Sequence, residues 1–133
     1  MSRVILKNYR IRELHFKNRV AANTSIELEQ RQSFKIHYIE DRNECVGRCR
    51  IEIKPKNNEL PFGISMDVEG LFTYKTGMDK GELHSIIYKE LFPYIRVLIN
   101  NITISAGMPP LVVRPIDIDP IKHTATPVST IKQ

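Results

Sequence analysis

Apolar and polar positions alternate in four stretches between residues 3 and 74, and from residue 83 the apolar positions recur every third or fourth residue instead. The first period is that of a strand with one buried face, the second that of a helix. In residues 3–18, Tyr9 and Ile11 stand on odd positions and Leu14 and Phe16 on even ones, so a single apolar face requires a bulge or bend near Arg12-Glu13. After a loop at Ala21-Ala22-Asn23-Thr24, Ile26, Leu28, Phe34, Ile36 and Tyr38 share even parity and mark a long second strand. Asp41-Arg42-Asn43-Glu44 turns the chain into a third strand, with Cys45, Gly47, Cys49, Ile51 and Ile53 on one face and Val46, Arg48, Arg50, Glu52 and Lys54 on the other. Pro55-Lys56-Asn57-Asn58 turns it again into a fourth, where Phe62, Ile64, Met66 and Val68 are followed beyond Gly70 by Phe72 and Tyr74. Short loops favour an antiparallel meander, because parallel neighbours need crossovers of about a dozen residues.

Asp79, with Glu82 three residues on, has the spacing of a helix N-cap. Leu83, Ile86, Ile87, Leu91, Tyr94, Ile95, Leu98 and Ile102 then trace one helical face. Pro93 falls inside it, and proline removes one backbone donor and crowds the preceding turn, so a kink or two joined helices are expected. Gly107 is placed to end the helix, and Pro110-Leu111-Val112-Val113-Arg114-Pro115-Ile116-Asp117-Ile118 continues as an apolar extended arm. The fold expected is α+β: a four-stranded antiparallel meander, a kinked long helix and an arm, forming one domain over residues 1–118. Residues 119–133, rich in Pro, Thr and Ser, read as a flexible tail.

At 133 residues the chain hides roughly two-thirds of its unfolded surface, enough for one sheet and one or two helices. So thin a fold leaves apolar faces for another subunit to cover. No apolar run is long enough to span a bilayer, and no secretory leader is visible. Cys45 and Cys49 lie four apart on one strand face, too distant for an easy disulfide, which suits free thiols in a reducing cytoplasm. His37 beside them does not complete a zinc set. His15, His84 and His123 lack a nucleophile at recognisable spacing, and Asp117 and Asp119 suit an arm cap better than acid/base work, so neither catalysis, cofactor nor metal is indicated. The net charge of +5 raises a nucleic-acid-binding module as the alternative, although the basic residues are scattered along strands rather than clustered.

The motif Leu91-Phe92-Pro93-Tyr94-Ile95-Arg96 followed by Gly107 and the Pro110–Ile116 arm resembles the SecB export-chaperone family, in which the same Leu-Phe-Pro-Tyr-x-Arg motif opens the main helix. Gly70-Leu71-Phe72 resembles the end of that family's fourth strand, and Glu13-Leu14-His15-Phe16 resembles its first. The likeness spans most of residues 5–119. It implies a non-enzymatic, cofactor-free holdase that binds unfolded polypeptides and assembles as a homodimer or dimer of dimers. Carried over position by position, Leu14, Phe16, Leu91, Phe92, Ile116 and Ile118 would line the client groove. Ile64, Met66 and Val68 would pack between subunits.

Two departures narrow that function. The family's second helix has no counterpart after Asp119-Pro120. Of three acidic positions that meet the translocation ATPase SecA, only Glu13 is retained, with Lys17 and Ser65 at the others. The expected function is therefore polypeptide holding for export or for a dedicated client such as an antitoxin. Apolar contacts supply the physics: each buried client side chain gains about 1.5–3 kcal/mol before ordering costs, and several add along an oligomer.

Overall fold

The computed structural model describes residues 3–109, 111–116 and, as backbone, 126–132. Five antiparallel strands form one sheet: β1 (Val4–Asn18), β2 (Ser25–Ile39), β3 (Glu44–Pro55), β4 (Phe62–Tyr74) and β5 (Thr126–Lys132). Helix α1 (Lys80–Ser105) covers one face of it. The α+β class and the succession of four strands, helix and extended arm are as the sequence indicates. Strand order is not. The sheet runs β1-β4-β3-β2-β5, so the meander holds from β2 to β4 while β1 pairs with β4 instead of β2. Residues 19–24 carry the chain across the ends of β4 and β3. Three strand spacings are about 14 Å, within the roughly 20 Å reach of six extended residues. At the near end of this crossing, Arg19 N–H donates to Pro61 C=O; at the far end, Lys56 N–H donates to Glu27 C=O, each at 2.9 Å.

A second correction concerns the expected tail, because residues 126–132 form β5 and pair with β2. Threonine and isoleucine suit a strand, and Pro127 is tolerated because β5 lies at the sheet's edge. The rest of that tail, residues 119–125 and 133, lies outside the described residues.

Parity in β1 is corrected where the sequence requires it. The register with β4 shifts between Ile11 and Glu13, and a second shift lies between Leu6 and Asn8. Each adds one residue and returns the apolar set to the same side. Leu6, Tyr9, Ile11, Leu14 and Phe16 are thus opposite Phe72, Gly70, Val68, Met66 and Ile64, all on the helix side of the sheet.

Helix α1 settles on the sheet at two glycines. Gly47 and Gly70 are directly paired across β3 and β4. A Cβ on Gly47 would meet Ile87 Cγ2 at 2.9 Å, and one on Gly70 would meet Leu6 Cδ1 and Leu91 Cδ1 at 3.0 Å. Ile87 and Leu91, one turn apart, therefore sink into a dent that no other residue type leaves open. Around it close Ile51, Ile53, Ile64, Met66, Val68, Phe72, Ile95 and Ile99, each no more than 1% exposed.

Both helix ends are capped. Asp79 Oδ2 accepts from Glu82 N–H at 3.1 Å. At the other end Met108 N–H donates to Thr103 C=O and Gly107 N–H to Ile104 C=O, with Gly107 at φ +75° and Met108 buried. This pairing is a Schellman motif and turns the chain sharply into the arm. Pro93 does not divide the helix, which runs through it as one element. Proline deprives the Lys89 carbonyl of its partner, yet Pro93 and Lys89 are both exposed, so water can satisfy that carbonyl.

Cys45 and Cys49 are unpaired thiols beneath this layer, and burial pushes them up to about 11 and about 12. Both stay protonated in the folded chain while the unfolded chain ionises them near 9. The folded state then binds more protons, so stability falls as pH rises from 9 towards 11. A urea midpoint that drops across that window, and drops less in a Cys45→Ala, Cys49→Ala protein, is the expected outcome.

Candidate functional site

Two side chains on the buried parity of β2 are polar, and they hold the arm. Gln30 and Gln32 are almost completely buried. Their amide nitrogens donate to the Arg114 carbonyl at 2.7 and 3.0 Å. From α1, Tyr88 O–H donates to Gln32 Oε1 at 2.7 Å and its oxygen accepts from Ile116 N–H at 3.1 Å. Burial pushes the Tyr88 phenol well above its ordinary range, against the opposing pull of its bonds to Ile116 and Gln32. The arm is thus fixed by its own main chain, while Leu111 and Val113 enter the core and Val112 faces solvent. Tyr88→Phe leaves Ile116 N–H and Gln32 Oε1 short of a partner. It should cost about 2 kcal/mol and speed exchange of the Ile116 amide while α1 keeps its helicity.

On the opposite flank of α1 the helix side of β1 is only partly covered from Tyr9 to Phe16. Tyr9, Ile11, Leu14 and Phe16 are 37–41% exposed although they point to the same side as the core of β4. Tyr94 rests its ring 4.7 Å from that of Tyr9 and is itself 40% exposed. Along the helix Val97 and Ile104 continue the apolar stripe at 55% and 59% exposure. Large apolar side chains gathered at one long edge strand are uncommon on a monomer and make this face the candidate interaction surface.

The residues proposed from sequence divide between this face and the interior. Leu14 and Phe16 lie on it. Leu91 and Phe92 are 0% and 3% exposed, Leu91 against Gly70 and Phe92 against Tyr88 and under Arg96. Both belong to the core, because positions 91, 92 and 95 are on the side of α1 that faces the sheet. Ile116 is half-buried and bound to Tyr88 by its amide. Ile118, like Asp117, Asp119 and His123, lies outside the described residues. Ile64, Met66 and Val68 are buried beneath α1 of their own chain, so they have no area left for a second subunit. Tyr94, which the sequence left between groove and core beside Phe92, lies on this face, and Tyr9, Ile11 and Val97, which the sequence did not single out, join it there. The bulge that restores the parity of β1 was the signal that unites Tyr9 and Ile11 with Leu14 and Phe16.

The sheet's other face is charged, with signs interleaved. Glu69 receives Arg10, Arg12 and Arg48. Burial raises its carboxyl, but hydrogen bonds from Arg10 and Arg48 and the charge of Arg12 outweigh this and hold it below the ordinary range. Glu13 meets His15 Nε2 at 2.8 Å and Arg50 at 3.9 Å, and the His15 hydrogen bond and charge lower its pKa. Arg50 and Lys54 both reach Glu52. These strand arginines face carboxylates instead of forming a continuous basic surface, which argues against the nucleic-acid reading. His84 stands edge-on to Phe34. Among the described residues no group of three or more His, Cys, Asp or Glu could hold a metal ion, and no helix is long and apolar enough to cross a membrane.

Comparison with known proteins agrees with the motif and the architecture. The chain is 25% identical over 120 residues to the protein-export protein SecB of Dinoroseobacter shibae, covering 80% of this chain and 69% of that one. Its fold matches the Mycobacterium tuberculosis SecB-like chaperone, solved in complex with a ChAD peptide from an antitoxin, with TM-score 0.68 and 18% identity over 86% of this chain and 91% of that one. A family model described as "Preprotein translocase subunit SecB" matches residues 6–125, and the chain belongs to the SecB family.

Proposed function

We propose that this SecB-family chain is a cytoplasmic holdase: it binds non-native polypeptides through an apolar face and keeps them from aggregating, without cofactor or catalysis. The observation that carries the reading is the exposed row Tyr9, Ile11, Leu14 and Phe16 beside Tyr94. Such a surface recognises apolar side chains without a polar code, which suits many sequences of client. Gain per contact is small, so affinity comes from several contacts at once and from repetition of the face in an assembly. β1 is the sheet's outer strand on that side, and a homodimer or dimer of dimers uses this edge.

The client is a dedicated one, such as an antitoxin, more than the general export pool. Lys17 and Ser65 replace acidic positions, and the remaining Glu13 already answers His15 and Arg50, which leaves little for SecA. The test mixes the purified protein with a slowly refolding polypeptide and follows light scattering and complex mass. Suppressed scattering with a stable complex supports the reading; unchanged scattering and no complex at several-fold excess reject it.

A further inference from the structure

The side of the sheet turned away from α1 carries a concave site with an apolar floor. Asn8, Arg10, Val46, Glu69 and Leu71 line a depression of about 440 Å³ beside the register shift of β1 between Leu6 and Asn8. Val46 and Leu71 form the floor: they are directly paired across β3 and β4, alternate with the core residues Cys45, Gly47, Gly70 and Phe72, and are half-buried. Ile5, opposite Thr73 and 55% exposed, extends this floor towards the start of β1.

The wall holds more positive charge than it pairs. Arg10, Arg12 and Arg48 converge on Glu69, and among the described residues it is the one carboxylate that any of them meets within ion-pair distance. Each guanidinium carries more donors than one carboxylate can take up, so three cations on one anion leave both charge and donors over. Lys35, exposed and directly opposite Arg48, adds to the same row, where facing like charges are unfavourable until an anion comes between them. Nearby carboxylates do not redress this: Glu44 answers Lys7, and Asp67 stands in the next row opposite Arg50. The Arg10 side chain is 72% exposed and that of Glu69 only 15%, so the cations, not the carboxylate, face an incoming partner.

We infer that this depression docks an acidic polypeptide segment: a glutamate or aspartate side chain bridges Arg10 and Arg48, and a neighbouring large apolar side chain rests on Leu71 and Val46. Planar guanidinium groups take a carboxylate through paired hydrogen bonds, which lysines do not. A nucleic-acid backbone needs evenly repeated cations, whereas Glu69 stands in the middle of these. A bilayer surface is too flat to reach the floor. The site lies across the sheet from Leu14 and Phe16 and does not rest on the holdase reading, so a partner here and a client there can be held at once.

The test titrates the full chain into a labelled peptide, Gly-Ser-Glu-Leu-Glu-Leu-Glu-Ser-Gly, and reads fluorescence anisotropy. Binding should weaken at least about tenfold in the Arg10→Gln, Arg48→Gln protein, and about as much when serine replaces the leucines of the peptide. Asn8→Arg adds a cation at an exposed rim position and should tighten binding about threefold. The folded Leu14→Ser, Phe16→Ser protein should bind as wild type does, and a peptide with lysine in place of glutamate should not bind. No binding of the acidic peptide to wild type or to Asn8→Arg protein overturns the inference. So does binding that survives loss of both arginines in a folded protein, or that disappears with Leu14 and Phe16 instead. A duplex oligonucleotide or phosphatidylserine vesicles held through the same arginines, with the peptide left free, overturns it as well. Failure of the holdase reading shows separately, as unsuppressed aggregation whatever the peptide does.

Discussion

Gly47→Val and Gly70→Val each lower the stability of the fold by about 3 kcal/mol or prevent folding, the largest effect expected of single changes outside the helix. Both glycines lack a Cβ where α1 presses hardest on the sheet: the added carbon alone would stand 2.9 Å from Ile87 Cγ2 or 3.0 Å from Leu91 Cδ1. Since the two positions are opposite each other across β3 and β4, a larger residue at either lifts the same turn of α1. Lifting it separates Ile87 and Leu91 from the apolar layer that the helix was folded to cover. Gly63 supplies the control, because nothing lies within 4 Å of a Cβ there. Gly63→Ala should leave stability unchanged or raise it slightly, as alanine orders a strand at lower entropy cost. Urea unfolding reads all three; a fall in midpoint at constant slope identifies lost packing.

Leu91→Ala is expected to cost about 3 kcal/mol, since a fully enclosed leucine leaves both its transfer energy and a cavity behind. The same variant tests where the client site is. If Leu91 serves the core, folded Leu91→Ala protein binds client as well as wild type at a temperature where both are folded. A selective loss of client binding with little change in the urea midpoint would return Leu91 to the groove. Phe92→Ala should behave likewise, with its contact to Tyr88 and the cover of Arg96 removed.

These two results bear on what the sequence discloses. Alternation and the motif were enough for strand faces, the capped helix and the family. The bulge at Arg12 followed from parity alone, because four apolar residues cannot share a face without it. Strand neighbours are different: parity tells which way a side chain points but not which strand lies beside it, so β1 could be placed next to β2 on loop length when residues 19–24 in fact cross two strand ends. β5 was hidden by Pro127 and its threonines, which an edge tolerates and a tail also shows. In the site, the Leu91-to-Arg96 motif marks the family without giving helix orientation, and Leu91 and Phe92 turned out to face inward. Gln30 and Gln32 occupied apolar parity in β2, and their purpose appears only when the arm's carbonyl is brought to them from more than eighty residues away.

What separates Leu14 and Phe16 from those buried residues is that each is more than a third exposed, so a polar replacement costs less there. The most direct test of the proposed function is therefore light scattering of a slowly refolding polypeptide in the presence of the Leu14→Ser, Phe16→Ser protein, with its urea midpoint measured alongside. The account predicts a protein that still folds, with stability lowered by about 3 kcal/mol because each side chain is partly buried and Phe16 stands edge-on to Phe62, and that loses most aggregation suppression at a temperature where it is folded. Full suppression by this folded double variant would contradict it.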